Sequence, residues 1–455
     1  MTTMYSTNPA NGEILNEFSP HSDTKLDEQL TLAYQRQCEW RRSAVVERQA
    51  LLGRVAQRLR SGREQLARII TLEMGKPIEE ARAEIEKCAM TCDFYAENAP
   101  RFLADEVIPS NARDSRVVFD ALGVLLAVMP WNYPFWQAIR AAAPAITVGN
   151  TVVLKHAANV PQCALALEQV FREAEAPAGI FGTLLIESSR VAAVIDDARI
   201  AAVTFTGSTP VGRTLAQQAG HALKKHVLEL GGSDPFIVLA DADIPAAARA
   251  AAKARFSNAG QSCISAKRFI VEEAVADAFV DALVIEARAY AIGDPLLDST
   301  KMGPMARDNL REDLHAQVEA TIDEGATLRI GGRPVDGKGY FYPATVLDHV
   351  EAGMTAAREE TFGPAAAVMR VPTVQVALDI ANGTEFGLGA ALWTADVARG
   401  QALAREIDAG AVFVNSVVAS DPRLPFGGIK QSGYGRELGV WGLREFANVK
   451  TVMTS

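Results

Sequence analysis

The regular alternation of strand and helix patterns in the first half of the chain most limits the folds open to it. Short apolar runs at 151–154, 201–205 and 227–230 have the character of buried strands, and the stretches 161–175 and 209–220 between them have helical patterns. Strands that are connected through helices run parallel, and the helices then cover the faces of the sheet. We therefore predict an α/β fold built on a parallel sheet.

The flanking segments extend this pattern. Residues 24–104 carry apolar side chains at helical spacing, and the β-rich stretch 116–129 has a break at Gly123. A second alternating block begins near residue 232. It contains predicted helices at 245–257 and 273–290, predicted strands at 345–347 and 411–414, a loop at 425–439 and a last strand within 446–455. Because 455 residues exceed one ordinary domain, we predict two large domains.

Composition narrows the classes of partner. A hydrophobic fraction of 49% with 22% charged residues is typical of a soluble globular protein, and the net charge of −10 argues against nonspecific binding to nucleic acid. No apolar run approaches the ~20 residues of a membrane-spanning helix, and the first six residues lack the features of a signal peptide. We expect neither a nucleic-acid partner nor a membrane partner.

Cysteine usage bears on the compartment and on metal binding. Cys38, Cys88, Cys92, Cys163 and Cys263 are sparse and odd in number, which favours reduced thiols and a cytoplasmic location. Cys88 and Cys92 are four residues apart, as in half of a metal site, but the six histidines supply no second half. We predict buried structural thiols at these two positions and no metal.

The turn after the predicted strand 201–205 is a candidate dinucleotide site. Thr206, Gly207 and Ser208 precede a helix, so free backbone N–H groups and a hydroxyl meet the positive end of the helix dipole, where a pyrophosphate binds well. The same pattern also describes a helix that is capped by Ser208 or Thr209 with Pro210 in its first turn. The G-x-G-x-x-G motif is absent. Lys155 follows another strand of the same predicted sheet, where a cation points into the ligand crevice.

Three segments carry candidate catalytic groups. Cys263 lies in 258–263 (NAGQSC), Glu229 precedes two glycines, and Asn132 lies in 130–134 (PWNYP). A thiol with a separate carboxylate suits covalent catalysis, in which the carboxylate is the base of the second half-reaction. A side-chain amide can stabilise an oxyanion. Taken singly, the thiol also fits a buried structural role and the carboxylate an ordinary strand end.

Together with five further motifs, these segments resemble the aldehyde dehydrogenase superfamily. The motifs occur in the family's order over nearly the whole chain, at 8–13 (NPANGE), 73–77 (EMGKP), 205–208 (FTGS), 359–364 (EETFGP) and 425–433 (PFGGIKQSG). Each motif alone is weak evidence, but the ordered set is specific. The resemblance implies two Rossmann-like parallel-sheet domains and a small β oligomerisation extension.

The resemblance also implies how the chain is divided. Residues 1–102 and 122–231 would form the dinucleotide-binding domain, and 232–431 the catalytic domain. Residues 103–121 and 432–455 would form the extension and the C-terminal strand through which the family assembles. We expect a homodimer or homotetramer, because the apolar C-terminal strand would otherwise be an open sheet edge.

The chemistry implied by the resemblance is oxidation of a small-molecule aldehyde. Cys263 would be the nucleophile, and the amide of Asn132 and the backbone N–H of Cys263 would stabilise the tetrahedral alkoxide. Glu229 would activate the water that hydrolyses the resulting thioester. Because an enzyme that transfers the acyl group to CoA is expected to lack this carboxylate, Glu229 argues against that class.

The implied cofactor is NAD or NADP. Lys155 matches the residue that holds the adenosine ribose, Glu360 the one that binds the nicotinamide ribose, and Phe362 the one beside the nicotinamide. NAD-preferring members often have Glu at the position of Ala158, and this Glu repels the 2′-phosphate of NADP. That repulsion is missing here. His156 is either a further hydrogen-bond donor to the cofactor or a surface residue. The full predicted cofactor set is Trp131, Lys155, His156, Ala158, Thr206, Gly207, Ser208, Leu230, Glu360 and Phe362.

Arg140 points to one substrate class. It lies eight residues after Asn132, and in this position the chain resembles the succinate semialdehyde dehydrogenases. A guanidinium there fits the distal carboxylate of the substrate. The alternative is an Arg on a helix surface. Some of those enzymes have a second Arg at the position of Ser257, so Arg423 is the candidate for the second positive charge in this chain. Some also have a second Cys at the position of Ser265. The predicted substrate-binding set is Arg140, Tyr133, Trp136, Ser420, Arg423 and Phe426.

Other functions remain open at this point. The substrate could be a different semialdehyde, such as glutarate semialdehyde, or an aromatic aldehyde in a tunnel that is lined by Tyr133, Trp136 and Phe426. A remote alternative is a non-enzymatic nucleotide-binding or structural protein. The presence of Cys263, Glu229 and Asn132 in one chain argues against that alternative.

Overall fold

The computed structural model describes residues 3–455. Its α-helices are α1 Asp23–Trp40, α2 Val45–Ser61, α3 Arg63–Met74, α4 Ile78–Phe102, α5 Trp136–Val148, α6 Pro161–Glu173, α7 Val191–Asp196, α8 Thr209–His221, α9 Ile244–Phe256, α10 Glu273–Arg288, α11 Asp308–Asp323, α12 Thr355–Arg358, α13 Val374–Asn382, α14 Val397–Leu403 and α15 Gly439–Glu445. Its strands are β1 Met4–Thr7, β2 Ile14–Phe18, β3 Glu106–Val107, β4 Asp114–Ala121, β5 Val124–Met129, β6 Thr151–His156, β7 Phe181–Thr183, β8 Ile200–Thr206, β9 Lys225–Glu229, β10 Asp234–Val238, β11 Ala266–Glu272, β12 Thr327–Ile330, β13 Thr345–Asp348, β14 Ala365–Val371, β15 Gly389–Trp393, β16 Ala411–Val414, β17 Gly433–Tyr434 and β18 Ala447–Thr454.

The first large sheet has the strand order β17-β9-β8-β5-β6-β7. Its neighbouring strands run parallel except for β17, which is antiparallel to β9. Every residue of the central strand β5 is buried. Leu125 and Ala127 of this strand pack into the core with α5, whereas Leu126 and Val128 pack on the opposite face with Leu215 of α8. Helices therefore cover both faces of this sheet, as a parallel sheet requires.

The second large sheet has the strand order β12-β13-β14-β11-β10-β15-β16. All its neighbours are parallel except β12 and β13. Its inner strand β10 is buried along its whole length between β11 and β15. Two large, mostly parallel sheets with helices around them confirm the predicted α/β fold class.

A smaller antiparallel sheet has the order β18-β4-β3. β18 pairs with β4 over eight residues, from Ala447 opposite Ala121 to Thr454 opposite Asp114, which agrees with the strand predicted in the tail. Within residues 3–455, β18 lies at an open edge of this sheet and exposes apolar side chains, among them Val449. β17 belongs to the first large sheet although it lies within residues 432–455 of the predicted extension. The domain limits stay a prediction.

The helices α1–α4 occupy the segment that was predicted to be helical. The 25-residue α4 buries a stripe that includes Ala81, Ile85, Cys88 and Cys92, and it packs on α2, α3 and α5. Spacings of three and four residues place these side chains on one face of the helix. Both cysteines are buried free thiols. In the part of the chain that the structure describes, no helix has the length and hydropathy needed to cross a membrane.

Candidate active site

The carboxyl ends of four neighbouring strands of the first sheet surround one crevice. β5 ends at Met129 and leads to Asn132, β6 carries Lys155 near its end, β8 ends at Thr206, and β9 ends at Glu229. Because parallel strands have their carboxyl ends at the same edge, these polar groups are brought together by topology alone, and ligands of such sheets bind at this edge. The candidate nucleophile reaches the crevice from the second sheet, in the segment that precedes β11.

The turn before Cys263 has an unusual backbone. Asn258, Ala259 and Gly260 have φ angles of 52°, 52° and 70°. Left-handed backbone is unfavourable for residues other than glycine, so it persists only where the surroundings hold it. The N–H of Asn258 donates to Glu80 Oε2 at 2.8 Å, and a Cβ on Gly260 would lie 2.4 Å from a neighbouring carbonyl oxygen. The thiol is thus presented by a turn that close contacts hold in place.

The amide of Asn132 is oriented by hydrogen bonds at both ends. Its Nδ2 donates to the Gln261 carbonyl oxygen at 3.0 Å, and its Oδ1 accepts from Gln137 Nε2 at 3.1 Å. An amide nitrogen carries two N–H donors, so one is left for an oxyanion. The side chain of Asn258 donates to the Asn132 carbonyl oxygen at 3.0 Å and ties this loop to the turn before Cys263.

A cavity of about 290 Å³ lies between these groups. Cys263 and Asn132 both line it, so the structure brings the predicted nucleophile and the predicted oxyanion donor to one space. The complete lining is Pro130, Trp131, Asn132, Gln137, Thr206, Gly207, Ser208, Leu230, Gly231, Cys263, Arg307, Leu310, Glu360 and Phe362.

Glu229 is a buried carboxyl group that directly precedes the lining residue Leu230 and does not itself line either cavity. It is 2% exposed, and among the residues described neither carboxylate oxygen has a hydrogen-bond partner. Burial raises the pKa of Glu229, the charge of Glu437 raises it further, and the guanidinium groups of Arg140 and Arg436 lower it. A carboxylate with a raised pKa is a stronger proton acceptor near neutral pH, which suits a general base.

The Cys263 thiol needs help to ionise. Its pKa is raised to about 12, mainly by burial, while the positive charges of Arg140 and Lys267 lower the pKa and the carboxylates of Glu229 and Asp234 raise it. Lys267 is fully buried, and its Nζ donates to the Cys263 carbonyl oxygen at 2.9 Å. The thiolate that nucleophilic attack requires is therefore favoured by two buried cations.

A second cavity of about 640 Å³ adjoins the first. The two share Trp131 and the turn from Thr206 to Ser208, so together they form one elongated site of the kind that a dinucleotide needs. The second cavity is lined by Thr3, Met4, Tyr5, Val128, Met129, Pro130, Trp131, Lys155, Ala157, Ala158, Asn159, Glu187, Ser188, Val191, Phe205, Thr206, Gly207, Ser208, Val211, Leu215 and Arg307.

The junction of the two cavities fits a pyrophosphate. Ser208 is the N-cap residue of α8, but in the described structure its hydroxyl makes no capping hydrogen bond. The Thr209 hydroxyl donates to the Gln431 carbonyl oxygen at 3.3 Å, so neither side chain caps the helix. The first N–H groups of the helix and the Ser208 hydroxyl remain for a ligand. A Cβ on Gly207 would lie 2.4 Å from the Phe205 ring, which explains why a glycine stands in this turn.

Most of the predicted cofactor residues line these cavities. Lys155 and Ala158 lie in the larger one, where Lys155 Nζ donates to Ser188 Oγ at 3.2 Å. Leu230, Glu360 and Phe362 line the smaller one. Glu360 is held by the N–H of the second glycine after Leu230 at 3.1 Å and by Lys267 Nζ at 3.5 Å.

His156 is the exception in the cofactor set. It is 6% exposed and lines neither cavity, so the alternative of a surface residue is wrong, and the structure does not bring the ring to the cofactor space. Its Nε2 donates to the Pro134 carbonyl oxygen at 2.8 Å, and its Nδ1 accepts from the Ala157 N–H at 3.0 Å. Burial lowers the pKa of His156 to about 4. The ring connects the end of β6 to the loop that follows Asn132.

The predicted substrate residues lie outside the lining of both cavities. Arg140 is 3% exposed, so the alternative of an Arg on a helix surface is wrong. It forms a salt bridge with Glu437 and donates a hydrogen bond to Thr206 Oγ1 at 3.2 Å. Its guanidinium carbon lies 4.9 Å from the Phe426 ring centroid. Arg423 is largely exposed, and Asp421 binds it through two hydrogen bonds of 2.9 and 2.6 Å. Each of the two guanidinium groups is therefore bound to a carboxylate of the protein, and neither lines a cavity.

Two of the three aromatic candidates, Tyr133 and Trp136, are each covered by a lysine. Lys76 Nζ lies 3.7 Å from the ring centroid of Tyr133, and Lys87 Nζ lies 4.3 Å from the ring centroid of Trp136. Lys76 itself is bound by Glu84, which also accepts hydrogen bonds from two N–H groups at the start of α5. A tunnel role for these aromatic residues stays a prediction.

Sequence reasoning missed several residues of the lining. Val211 and Leu215 follow Ser208 on one face of α8, so their helical spacing was a usable signal. Arg307 lies 5.8 Å from the Trp131 ring centroid and Leu310 lies in the first turn of α11. Both residues come from a distant part of the chain, and no local pattern indicates them.

Comparison with known proteins gives consistent matches. A profile of the aldehyde dehydrogenase family matches residues 1–452. The chain is 48% identical to a probable NADP(+) succinate-semialdehyde dehydrogenase of Synechocystis sp., and the match covers 98% of each chain. It is 46% identical to the NAD(P)+ succinate semialdehyde dehydrogenase of Escherichia coli, over 99% of this chain and 98% of that one. A crystal structure of succinic semialdehyde dehydrogenase from Streptococcus pyogenes with NADP+ has a TM-score of 0.97, 36% identity and 99% coverage of both chains.

Proposed function

The chain belongs to the aldehyde dehydrogenase family, and on that premise we propose that it oxidises succinate semialdehyde to succinate with NADP+. The observation that carries the chemistry is the cavity that Cys263 and Asn132 share with the turn from Thr206 to Ser208. The substrate is supported by the names of full-length relatives at 45–48% identity.

The first half-reaction takes place at Cys263. The thiolate attacks the aldehyde carbon and forms a thiohemiacetal whose oxygen carries the negative charge. Asn132 Nδ2 has a free N–H for this oxygen, and the backbone N–H of Cys263 is the second proposed donor. Bound NADP+ would supply the hydride acceptor beside the nucleophile.

The second half-reaction requires a base. Loss of hydride from the thiohemiacetal leaves a thioester on Cys263, and water must attack its carbonyl carbon to release the acid. Glu229 takes a proton from that water, because its pKa is raised and its carboxylate oxygens have no hydrogen-bond partner within residues 3–455. The balance is aldehyde, NADP+ and water to carboxylate, NADPH and two protons.

The direct test measures NADPH absorbance with four aldehydes. We expect kcat/KM for succinate semialdehyde to exceed the values for glutarate semialdehyde, butyraldehyde and benzaldehyde. A clear preference for glutarate semialdehyde or benzaldehyde would favour the corresponding alternative. Absence of turnover with all four would favour a non-enzymatic role.

Cofactor choice is proposed to depend on Ala158. Ala158 lines the same cavity as Lys155, and its side chain carries no charge that would repel a 2′-phosphate. Because a carboxylate there would repel the phosphate, we expect Ala158→Glu to raise KM for NADP+ at least about tenfold while KM for NAD+ changes little. Ala158→Gln, which has the same size without the charge, is the control. Equal changes of both KM values in the Glu variant would contradict the role.

Assembly is proposed to use the edge of β18. This strand exposes Val449, Val452 and Met453 at an open edge, and such an edge is usually covered. We expect a homodimer or homotetramer by light scattering at micromolar concentration, and Val449→Lys with Met453→Lys should shift the mass towards one chain. A single-chain mass for the unaltered protein would contradict this proposal.

A cytoplasmic location also stays a prediction, which rests on cysteine usage alone.

A further inference from the structure

The motif at 73–77 (EMGKP) lies outside the lining of both cavities. It connects the end of α3 to the start of α4. Glu73 accepts hydrogen bonds from the N–H groups of Gln162 at 2.9 Å and Cys163 at 2.8 Å, in the first turn of α6. The motif therefore ties the start of α4 to the helix that follows β6 of the first sheet.

The first turn of α4 contacts the turn before Cys263. Glu80 Oε2 accepts the N–H of Asn258 at 2.8 Å, and Asn258 is the first of the three residues with left-handed backbone in that turn. The side chain of Asn258 in turn donates to the carbonyl oxygens of Asn132 at 3.0 Å and Gln261 at 3.2 Å. Unfavourable backbone persists only where its surroundings hold it, and Glu80 supplies one such contact from a distant part of the chain.

The next turn of α4 contacts the loop after Asn132. Glu84 Oε1 accepts the N–H groups of Phe135 at 2.9 Å and Trp136 at 3.0 Å, where this loop enters α5. Glu84 lies four residues after Glu80, so the two carboxylates share one face of α4. One face of a single helix thus contacts the segment of the nucleophile and the segment of the oxyanion donor.

A buried cation supports both carboxylates. Lys76, the fourth residue of the motif, is buried and forms a salt bridge with Glu84. Burial raises the pKa of Glu80 to about 7, and the positive charge of Lys76 and then the N–H of Asn258 lower it. The cation and the N–H group both favour the ionised carboxylate, which is a stronger hydrogen-bond acceptor than a neutral group.

We propose that Glu80 is a positioning residue that sets the distance between the Cys263 thiol and the Asn132 amide. It acts through the N–H of Asn258, and Glu84 is the matching anchor of the loop after Asn132. The proposal rests on the proposed function, in which the thiol and the amide act on one carbonyl group. A displacement of about 1 Å between reacting groups can lower a rate by about 100-fold, so α4 affects catalysis without contact to substrate or cofactor.

The first test removes the acceptor. Glu80→Ala should lower kcat for succinate semialdehyde about 10- to 100-fold and leave the Kd for NADPH within about twofold, because α4 lines neither cavity. Glu80→Gln keeps an acceptor oxygen at the same position and should restore most of the loss. Glu79→Ala, which removes an exposed carboxylate from the same turn of the helix, is the control and should keep full kcat. If Glu80→Ala does not fold, Glu80→Asp withdraws the acceptor by one carbon and should show a loss of the same kind.

A double-variant cycle separates positioning from general support of the fold. Asn132→Ala removes the oxyanion donor, so a residue that sets the distance between thiol and amide has little left to act on. We expect Glu80→Ala to lower kcat by less than about threefold in the Asn132→Ala background. Losses that add in full, or an Asn132→Ala variant with unchanged kcat, would overturn the proposal.

The reactivity of the thiol is measured separately. Methyl methanethiosulfonate modifies thiols and has no carbonyl group, so its reaction does not use the oxyanion donor. Its rate at Cys263, followed by mass spectrometry of the peptide that contains this residue, should be nearly the same in Glu80→Ala and in the unaltered protein. A fall of this rate in parallel with kcat would mean that Glu80 acts on the thiol itself, and the positioning role would be overturned.

Failure of the proposed function gives a different result. Absence of aldehyde turnover in the unaltered protein would overturn the proposed function and the role of Glu80 with it. Turnover in the unaltered protein together with full kcat in Glu80→Ala would overturn the role of Glu80 alone.

Discussion

Replacing Cys263 by alanine should abolish aldehyde oxidation while dinucleotide binding remains. Among the described residues that line the smaller cavity, only Cys263 carries a thiol. Loss of a covalent nucleophile typically lowers kcat by about 10⁴-fold or more. The larger cavity does not include Cys263, and the residues shared by the two cavities are unchanged. NADPH fluorescence titration should therefore give nearly the same Kd as for the unaltered protein.

Cys38 provides the matched control. It is a partly exposed free thiol on α1, far in sequence from the candidate site. Cys38→Ala should keep full turnover and the same NADPH affinity. Retained steady-state turnover in Cys263→Ala would contradict the covalent mechanism, and loss of NADPH binding would show that Cys263 supports the cavity rather than the chemistry.

The alternation of elements was sufficient to predict the fold class but not every strand. β10, β11, β14 and β15 were not singled out, although they form the middle of the second sheet. β14 begins with three alanines, and alanine favours helices. Strands that are buried on both faces also lack the alternation of polar and apolar residues that marks half-buried strands. Their state is decided by pairing with distant strands, which no local window contains.

In the candidate site too, local motifs predicted some residues, and contacts between distant parts of the chain decided the rest. Asn132, Cys263 and the turn from Thr206 to Ser208 were predicted from contiguous motifs, and the structure brings them to one cavity. The partners of charged side chains could not be predicted, because they come from distant parts of the chain. Glu437, for example, forms a salt bridge with Arg140 and thereby changes which groups that guanidinium can bind.

Replacing Glu229 by glutamine should separate the two half-reactions. Gln has the same shape but cannot accept a proton from water, so the thioester on Cys263 should persist. We expect a burst of about one NADPH per active site in rapid mixing, followed by a steady-state rate that is about 100- to 10,000-fold lower. Intact-protein mass should show the acylated chain, and Cys263→Ala should show neither the burst nor the added mass.

The pH dependence of the steady-state rate tests whether Glu229 acts as the base. A base acts only when it is deprotonated, and burial and Glu437 raise the pKa of Glu229 above the usual value of about 4.3. The steady-state rate of the unaltered protein should therefore rise with pH well above that value, and this limb should vanish in Glu229→Gln. Absence of the burst would mean that Glu229 acts before hydride loss. In that case Glu229 would be the base that deprotonates the nucleophile. Burial raises the pKa of the Cys263 thiol to about 12, and Glu229 lies close enough to affect that pKa.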